Sequence, residues 1–147
     1  MAADAFGAGL LHECGQLVFA VCRPEMFDTH LRLCQRDARL LVELEQQTFG
    51  VTHAQAGAYL LSRWGFPLGV INAAARHARP VDPVASSRLS VADAVRLAHH
   101  LVEEERVSVC SPPGRRGLDD AVLDQAGVLG EVWSWRADHV VRQASIR

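Results

Sequence analysis

The sequence predicts an all-α fold, and three observations carry that expectation. Apolar residues recur at helical spacing through most of the chain. Strand-like alternation is almost absent. Two of the periodic runs, at Thr52 and Ser90, open on a residue able to cap a helix N-terminus, with a partner three positions later.

Taken in order, Leu10, Leu11, Cys14, Leu17, Val18 and Val21 form one wide stripe. It predicts a helix from about Ala5 to Val21 that stops before Pro24. A stripe this wide asks for neighbours on more than one side, so Leu17→Ala is expected to cost ~2–5 kcal/mol if that side chain is buried. Pro24 suits the first turn of a second helix, with Phe27, Leu31 and Cys34 on one face. Leu40, Leu41, Leu44 and Phe49 predict a third, stopped by Gly50. Thr52 with Gln55 is a capping-box pattern opening a helix with Ala54, Gly57, Ala58 and Leu61 on one side, anchored at its end by Trp64. Gly65 ends it, and Pro67 opens the next, to about His77. Ser90 with Asp93 starts an amphipathic helix through Val91, Val95, Ala98 and Val102 to about Arg106. The segments 80–88 and 111–117 are loop material. Two further helices follow, near Leu118 to Gln125 and Gly130 to Ala144.

A chain of 147 residues, 49% hydrophobic and 22% charged, suits one folded domain, 1–147. The net charge of -2 provides no basic field, which argues against nucleic acid. All fifteen cations are arginine, a bias read as that of a GC-rich genome. Cys14, Cys22, Cys34 and Cys110 form no C-x-x-C pair and are expected as buried, reduced thiols, which fits the cytoplasm. No charged start leads into a long apolar run, and no window approaches ~18 uninterrupted apolar residues, so neither a signal peptide nor a membrane span is expected.

The candidate chemistry lies in the run Gly9 to Val18, with its His12-Glu13 doublet, then Glu43 to Gly50, His53 to Pro67, and His77. In order and gaps these stretches resemble the HDOD domain, a signal-transduction branch of the HD metal-phosphohydrolase superfamily. The pattern of that branch reads GLLHDIGKLVL, E…FG, HAEVGAYLLERWGLP and then HH. The resemblance covers about Phe6 to Glu105, the C-terminal half or more of such a domain, and leaves a helical extension at about 118–147. It implies an HD-like helical bundle of about seven or eight helices.

It also implies a ligand set. His12 falls on the His of the doublet and Glu13 on its Asp. His53 falls on the His of the following motif, and His77 on the first His of the HH pair, whose second position is Ala78. His99 aligns best with the late metal-binding Asp. In catalytic relatives such residues hold divalent iron, manganese or a similar ion, which activates a water that attacks phosphorus. Here the carboxylate is one methylene longer, Gln16 replaces the lysine that often follows, and the GYP signature of cyclic-di-GMP phosphodiesterases is absent after His77. A further family His, on an earlier helix, is expected before residue 1.

Each residue also has a plainer reading. His12 suits a satisfied interior histidine, His53 a first-turn residue, and His77 a cation at a helix C-terminus. His99 and His100 suit a solvated helix face, as does the run Glu103-Glu104-Glu105-Arg106. His30 and His139 match no family position. Trp133 and Trp135, two apart, cannot share a helix face, so one is expected to meet a neighbouring helix or a partner.

The expectation is therefore a non-catalytic regulatory domain of bacterial signal transduction, with no catalytic residues. It acts by protein-protein contact, through a protein partner or a homodimer. Its metal site, His12, Glu13, His53, His77 and His99, is degenerate and no cofactor is expected. The alternatives are a metal-dependent phosphohydrolase acting on nucleotides or cyclic dinucleotides, and a nucleotide or metal sensor.

Overall fold

Helix propensity, caps and breakers place nine helices among the described residues of the computed structural model, which are 2–34, 39–79, 89–110 and 118–144. They are α1 (Ala2–Leu11), α2 (Cys14–Cys22), α3 (Pro24–Cys34), α4 (Arg39–Phe49), α5 (His53–Arg63), α6 (Leu68–Arg76), α7 (Val91–Cys110), α8 (Asp120–Gln125) and α9 (Leu129–Ala144). No strand occurs among the described residues. The expected loops at 80–88 and 111–117 lie outside them.

The local signals act as read. Thr52 accepts from the Gln55 backbone N–H while the Gln55 side chain accepts from the Thr52 N–H, a closed capping box. Ser90 and Asp93 close the same loop ahead of α7. Gly50 and Gly65 take positive φ, +73° and +75°, where a side chain would be strained. Pro67 caps α6.

The first helix differs from expectation. A turn at His12 and Glu13 splits the predicted Ala5–Val21 helix into α1 and α2, with Glu13 at φ -95°, ψ 6°. No glycine or proline marks the break. In an unbroken helix, adjacent side chains point about 100° apart. The turn frees His12 and Glu13 to meet on the same centre.

The stripe on these helices is not enclosed either. Leu10 and Leu17 are 69% and 68% exposed, and Phe6 and Val21 are also exposed, so Leu17 is not the core residue expected. The core lies on the other side: Ala8 of α1 packs with Leu61 of α5, Val70, Ala73 and Ala74 of α6, and Ala92 and Val95 of α7. A second cluster, Leu97 and Leu101 with Leu123 and Val132, seats α8 and α9 on the middle of α7. The C-terminal helices therefore leave the α1–α2 stripe uncovered.

Trp64 is not the buried anchor expected at the end of α5. Trp64, Trp133 and Trp135 are all exposed; the Arg136 guanidinium lies 5.8 Å over the Trp133 ring. Cys22 is exposed and Cys14 half-buried, not the buried thiols expected; burial, with Glu13 adding to it, raises the Cys14 thiol above its ordinary range. Ala98, Val102 and Leu31 are exposed. The side chains of Cys34, Cys110 and His139 lie outside the described residues.

The stretch Ala3–Cys22 is long and apolar enough to cross a membrane by length and composition, a test that core helices and signal sequences also pass. Here the turn at His12–Glu13 interrupts it and draws those two side chains into the bundle.

Candidate metal centre

Small residues bring the site-bearing helices together. Gly15 of α2 and Gly57 of α5 lie backbone to backbone; a Cβ built on Gly15 would stand 1.8 Å from the His53 carbonyl oxygen. That approach sets Glu13, two residues before Gly15, against His53, the first residue of α5. His77 stands at the C-terminal cap of α6, and His99 in the middle of α7.

The structure brings His12, Glu13, His53, His77 and His99 together around the Glu13 carboxylate. Its Oε1 lies 3.8 Å from His12 Nε2, 3.6 Å from His77 Nε2 and 3.5 Å from His99 Nδ1. Its Oε2 lies 3.7 Å from His53 Nε2. His53 Nε2 and His77 Nε2 are 3.2 Å apart. The rings of His12 and His99 each stand edge-on to that of His77, with centroids 4.9 Å away.

Three rings are oriented from behind. His77 Nδ1 donates to the Ala74 carbonyl at 2.8 Å, and His12 Nδ1 donates to the Gly9 carbonyl at 2.6 Å. His53 Nδ1 donates to Glu45 Oε2 at 2.7 Å. Carbonyl and carboxylate oxygens only accept, so the proton sits on Nδ1 and Nε2 faces the centre. Histidines that hold metals are oriented in this way.

Burial lowers the His77 pKa to about 4, with the charges of His53, His12 and His100 adding to the effect against the Ala74 hydrogen bond. Burial likewise lowers His99 to about 3, with His77 next in weight. Burial opposes charge on His53 as well, but the hydrogen bond and charge of Glu45, with Glu13, outweigh it and raise the pKa. His77 is thus no cationic helix cap, and His99 lies in the cluster, off any solvated face. His100 bonds the Arg79 carbonyl at 2.8 Å, and its ring stands edge-on to His99 with centroids 5.6 Å apart.

Each of two triads, Glu13–His53–His77 and His12–Glu13–His99, fits a divalent ion. Ligands at about 2.1 Å in a tetrahedral arrangement stand roughly 3.4 Å from one another. Glu13, His53 and His77 are separated by 3.2–3.7 Å, and Glu13 and His99 by 3.5 Å. The Glu13–His53–His77 group and the His12–Glu13–His99 group share the carboxylate. Imidazole and carboxylate suit iron, manganese or zinc, and such an ion would polarise a bound water or oxygen ligand.

Two contacts lay beyond the sequence reading. Gln16 Nε2 donates to Glu13 Oε2 at 2.6 Å, so the residue in the lysine position steadies the carboxylate. Glu45, fully buried, was not singled out. Its signal was present: Leu41, Glu45 and Phe49 stand at i, i+4 and i+8, which places a carboxylate in an apolar stripe.

A cavity of about 400 Å³ adjoins the cluster at His12, Glu13 and His99. Ala5, Gly9, Ala94, Val95, Ala98 and Val102 form its walls, with Glu103 the remaining lining residue.

Helices that converge four imidazoles and one carboxylate on a point define an HD-type bundle. The HDOD domain family profile matches residues 1–80, more than half of the chain, and the chain belongs to that family. The match takes in His12, Glu13, His53 and His77; His99 lies beyond it, although the motif resemblance ran on to Glu105. A protein of Treponema pallidum (strain Nichols), described as uncharacterized, is 37% identical over 73 residues, covering 48% of this chain. The aligned part is 14% of that protein's length. No solved structure matches.

Proposed function

We propose that this chain is a regulatory HDOD domain that transmits a state to a protein partner or a second copy, without turning over a substrate. Its histidine–glutamate cluster retains the capacity to hold one divalent ion as a structural or sensing centre.

The observation that carries the non-catalytic reading is the cavity beside the cluster. Its walls are alanine, glycine and valine, and among the described residues its charged lining groups are carboxylates and no Arg lines it. A phosphoester carries negative charge and is recognised through fixed cations or a metal clamp. Among the described residues, this lining offers carboxylates in place of fixed cations. Gln16, bonded to Glu13, supplies no charge where the resembled motif places lysine.

The metal reading is favoured by the Nε2 orientation of His12, His53 and His77. Partner contact is favoured by the exposed Leu10 and Leu17. A net charge of -2 supports neither nucleic acid nor an anionic membrane as the partner. Cytoplasmic residence is part of the same proposal.

The test is metal loading with Fe(II) or Mn(II) under reducing conditions, followed by metal analysis and assays with cyclic-di-GMP and nucleotides. Bound metal near one per chain with background hydrolysis is expected. Metal-dependent turnover abolished by His12→Ala would establish the phosphohydrolase reading instead. Absence of metal after loading would remove the metal half of the proposal and leave the interaction role standing.

A further inference from the structure

We propose that Glu45 is a positioning residue of this centre, fixing the rotamer and tautomer of His53 so that Nε2 is presented for metal binding. The inference rests on the metal reading above.

Glu45 lies on α4, outside the elements that carry the ligand set, and is fully buried. One carboxylate oxygen, Oε2, accepts twice from the same residue: from the His53 backbone N–H at 2.9 Å and from His53 Nδ1 at 2.7 Å. The ring is thereby held at its base and at one edge. Oε1 has no hydrogen-bond partner among the described residues, so both contacts fall on one atom. Burying a carboxylate costs several kcal/mol unless it is well paired, on the order of 2–7 for a polar group alone. An apolar residue between Leu41 and Phe49 would pack there without that cost.

The pairing has a chemical consequence. A carboxylate can only accept, so a His53 proton is held on Nδ1, and Nε2, directed at His77 and Glu13, is the nitrogen that gives a lone pair to a metal once the ring is neutral. Without the clamp, a neutral ring is free to carry its proton on Nε2, where it blocks a metal. A carboxylate behind an imidazole also strengthens it as a donor.

A purely structural Glu45, capping the first N–H of α5, would affect stability alone. The test therefore reads tautomer and affinity. Nitrogen-15 NMR of metal-free protein, taken at a pH where the ring is neutral, is expected to place the His53 proton on Nδ1, and Glu45→Leu is expected to shift it toward Nε2. Co(II) titration, read by absorbance, is expected to show roughly 10–100-fold weaker binding in Glu45→Leu, and a loss toward the lower end in Glu45→Gln, which keeps an acceptor without charge.

A wild-type proton on Nε2, or folded variants with unchanged tautomer and affinity, would overturn the proposal. If Glu45→Leu does not fold, Glu45→Gln decides by its Co(II) affinity. If wild-type protein binds no Co(II), the metal reading fails by itself. The NMR comparison then still decides whether Glu45 sets the His53 ring.

Discussion

Glu13 stands at the centre of the cluster, with carboxylate oxygens within 3.5–3.8 Å of nitrogens from four histidines. Glu13→Gln keeps its size and removes its charge. Metal affinity should fall by at least the roughly 10–100-fold that loss of an outer-shell partner costs, measured by Co(II) titration. Two leucines make a paired test of burial. Leu61 is fully buried, so Leu61→Ala should destabilise by ~2–5 kcal/mol in urea unfolding. Leu17 is mostly solvated, so Leu17→Ala should stay within about 0.5 kcal/mol of wild type. The stripe that suggested otherwise is split: Leu11 and Cys14 pack against the core, while Leu10 and Leu17 face solvent.

Two elements hold the ligands in register. The α2–α5 crossing depends on Gly15, whose added Cβ would meet His53 O at 1.8 Å and Gly57 N at 2.7 Å. Both are backbone atoms, so the helices must separate. Gly15→Ala should cost at least about 1–3 kcal/mol and weaken metal binding with it, because His53 moves with α5. Thermal melts and Co(II) titration read the two effects separately. At the start of α7, burial of Asp93 works against its charge. The hydrogen bonds from the Ser90 side chain and backbone, with Arg96 and Arg76, outweigh that and hold its pKa below the ordinary value. The sign follows: the folded state favours the ionised carboxylate. Asp93 therefore contributes its full stability above roughly pH 4, and that contribution disappears as pH falls through the lower folded value. Asp93→Asn should be less stable than wild type at neutral pH. The gap should narrow in melts taken progressively below pH 4, and a gap independent of pH would contradict the cap assignment.

At the scale of the molecule, the bundle is asymmetric. Its two cores share α7, while the outer face of α1 and α2 shows Phe6, Leu10, Leu17 and Val21 to solvent. Contiguous apolar patches beyond a few hundred Å² are uncommon on soluble monomers and mark association surfaces. Concentration-dependent association in light scattering is expected, and Leu10→Glu with Leu17→Glu should suppress it. A wild-type monomer at high concentration would remove the argument for a docking face there.

The helices were legible because their determinants are local. Caps such as Thr52–Gln55 and Ser90–Asp93, and stops such as Gly50 and Gly65, act across a few residues and need no partner helix. The family motifs singled out His12, Glu13, His53, His77 and His99, whose long spacings carry no metal signal by themselves. Tertiary structure decided the rest. The break at His12–Glu13 carries no glycine or proline, and it lets two adjacent side chains reach one centre. Periodicity marks which face of a helix is apolar, but only the arrangement of neighbours determines whether Leu17 or Leu61 is covered. The role of Glu45 depends on α4 meeting the start of α5, a contact between elements that no spacing within either one encodes.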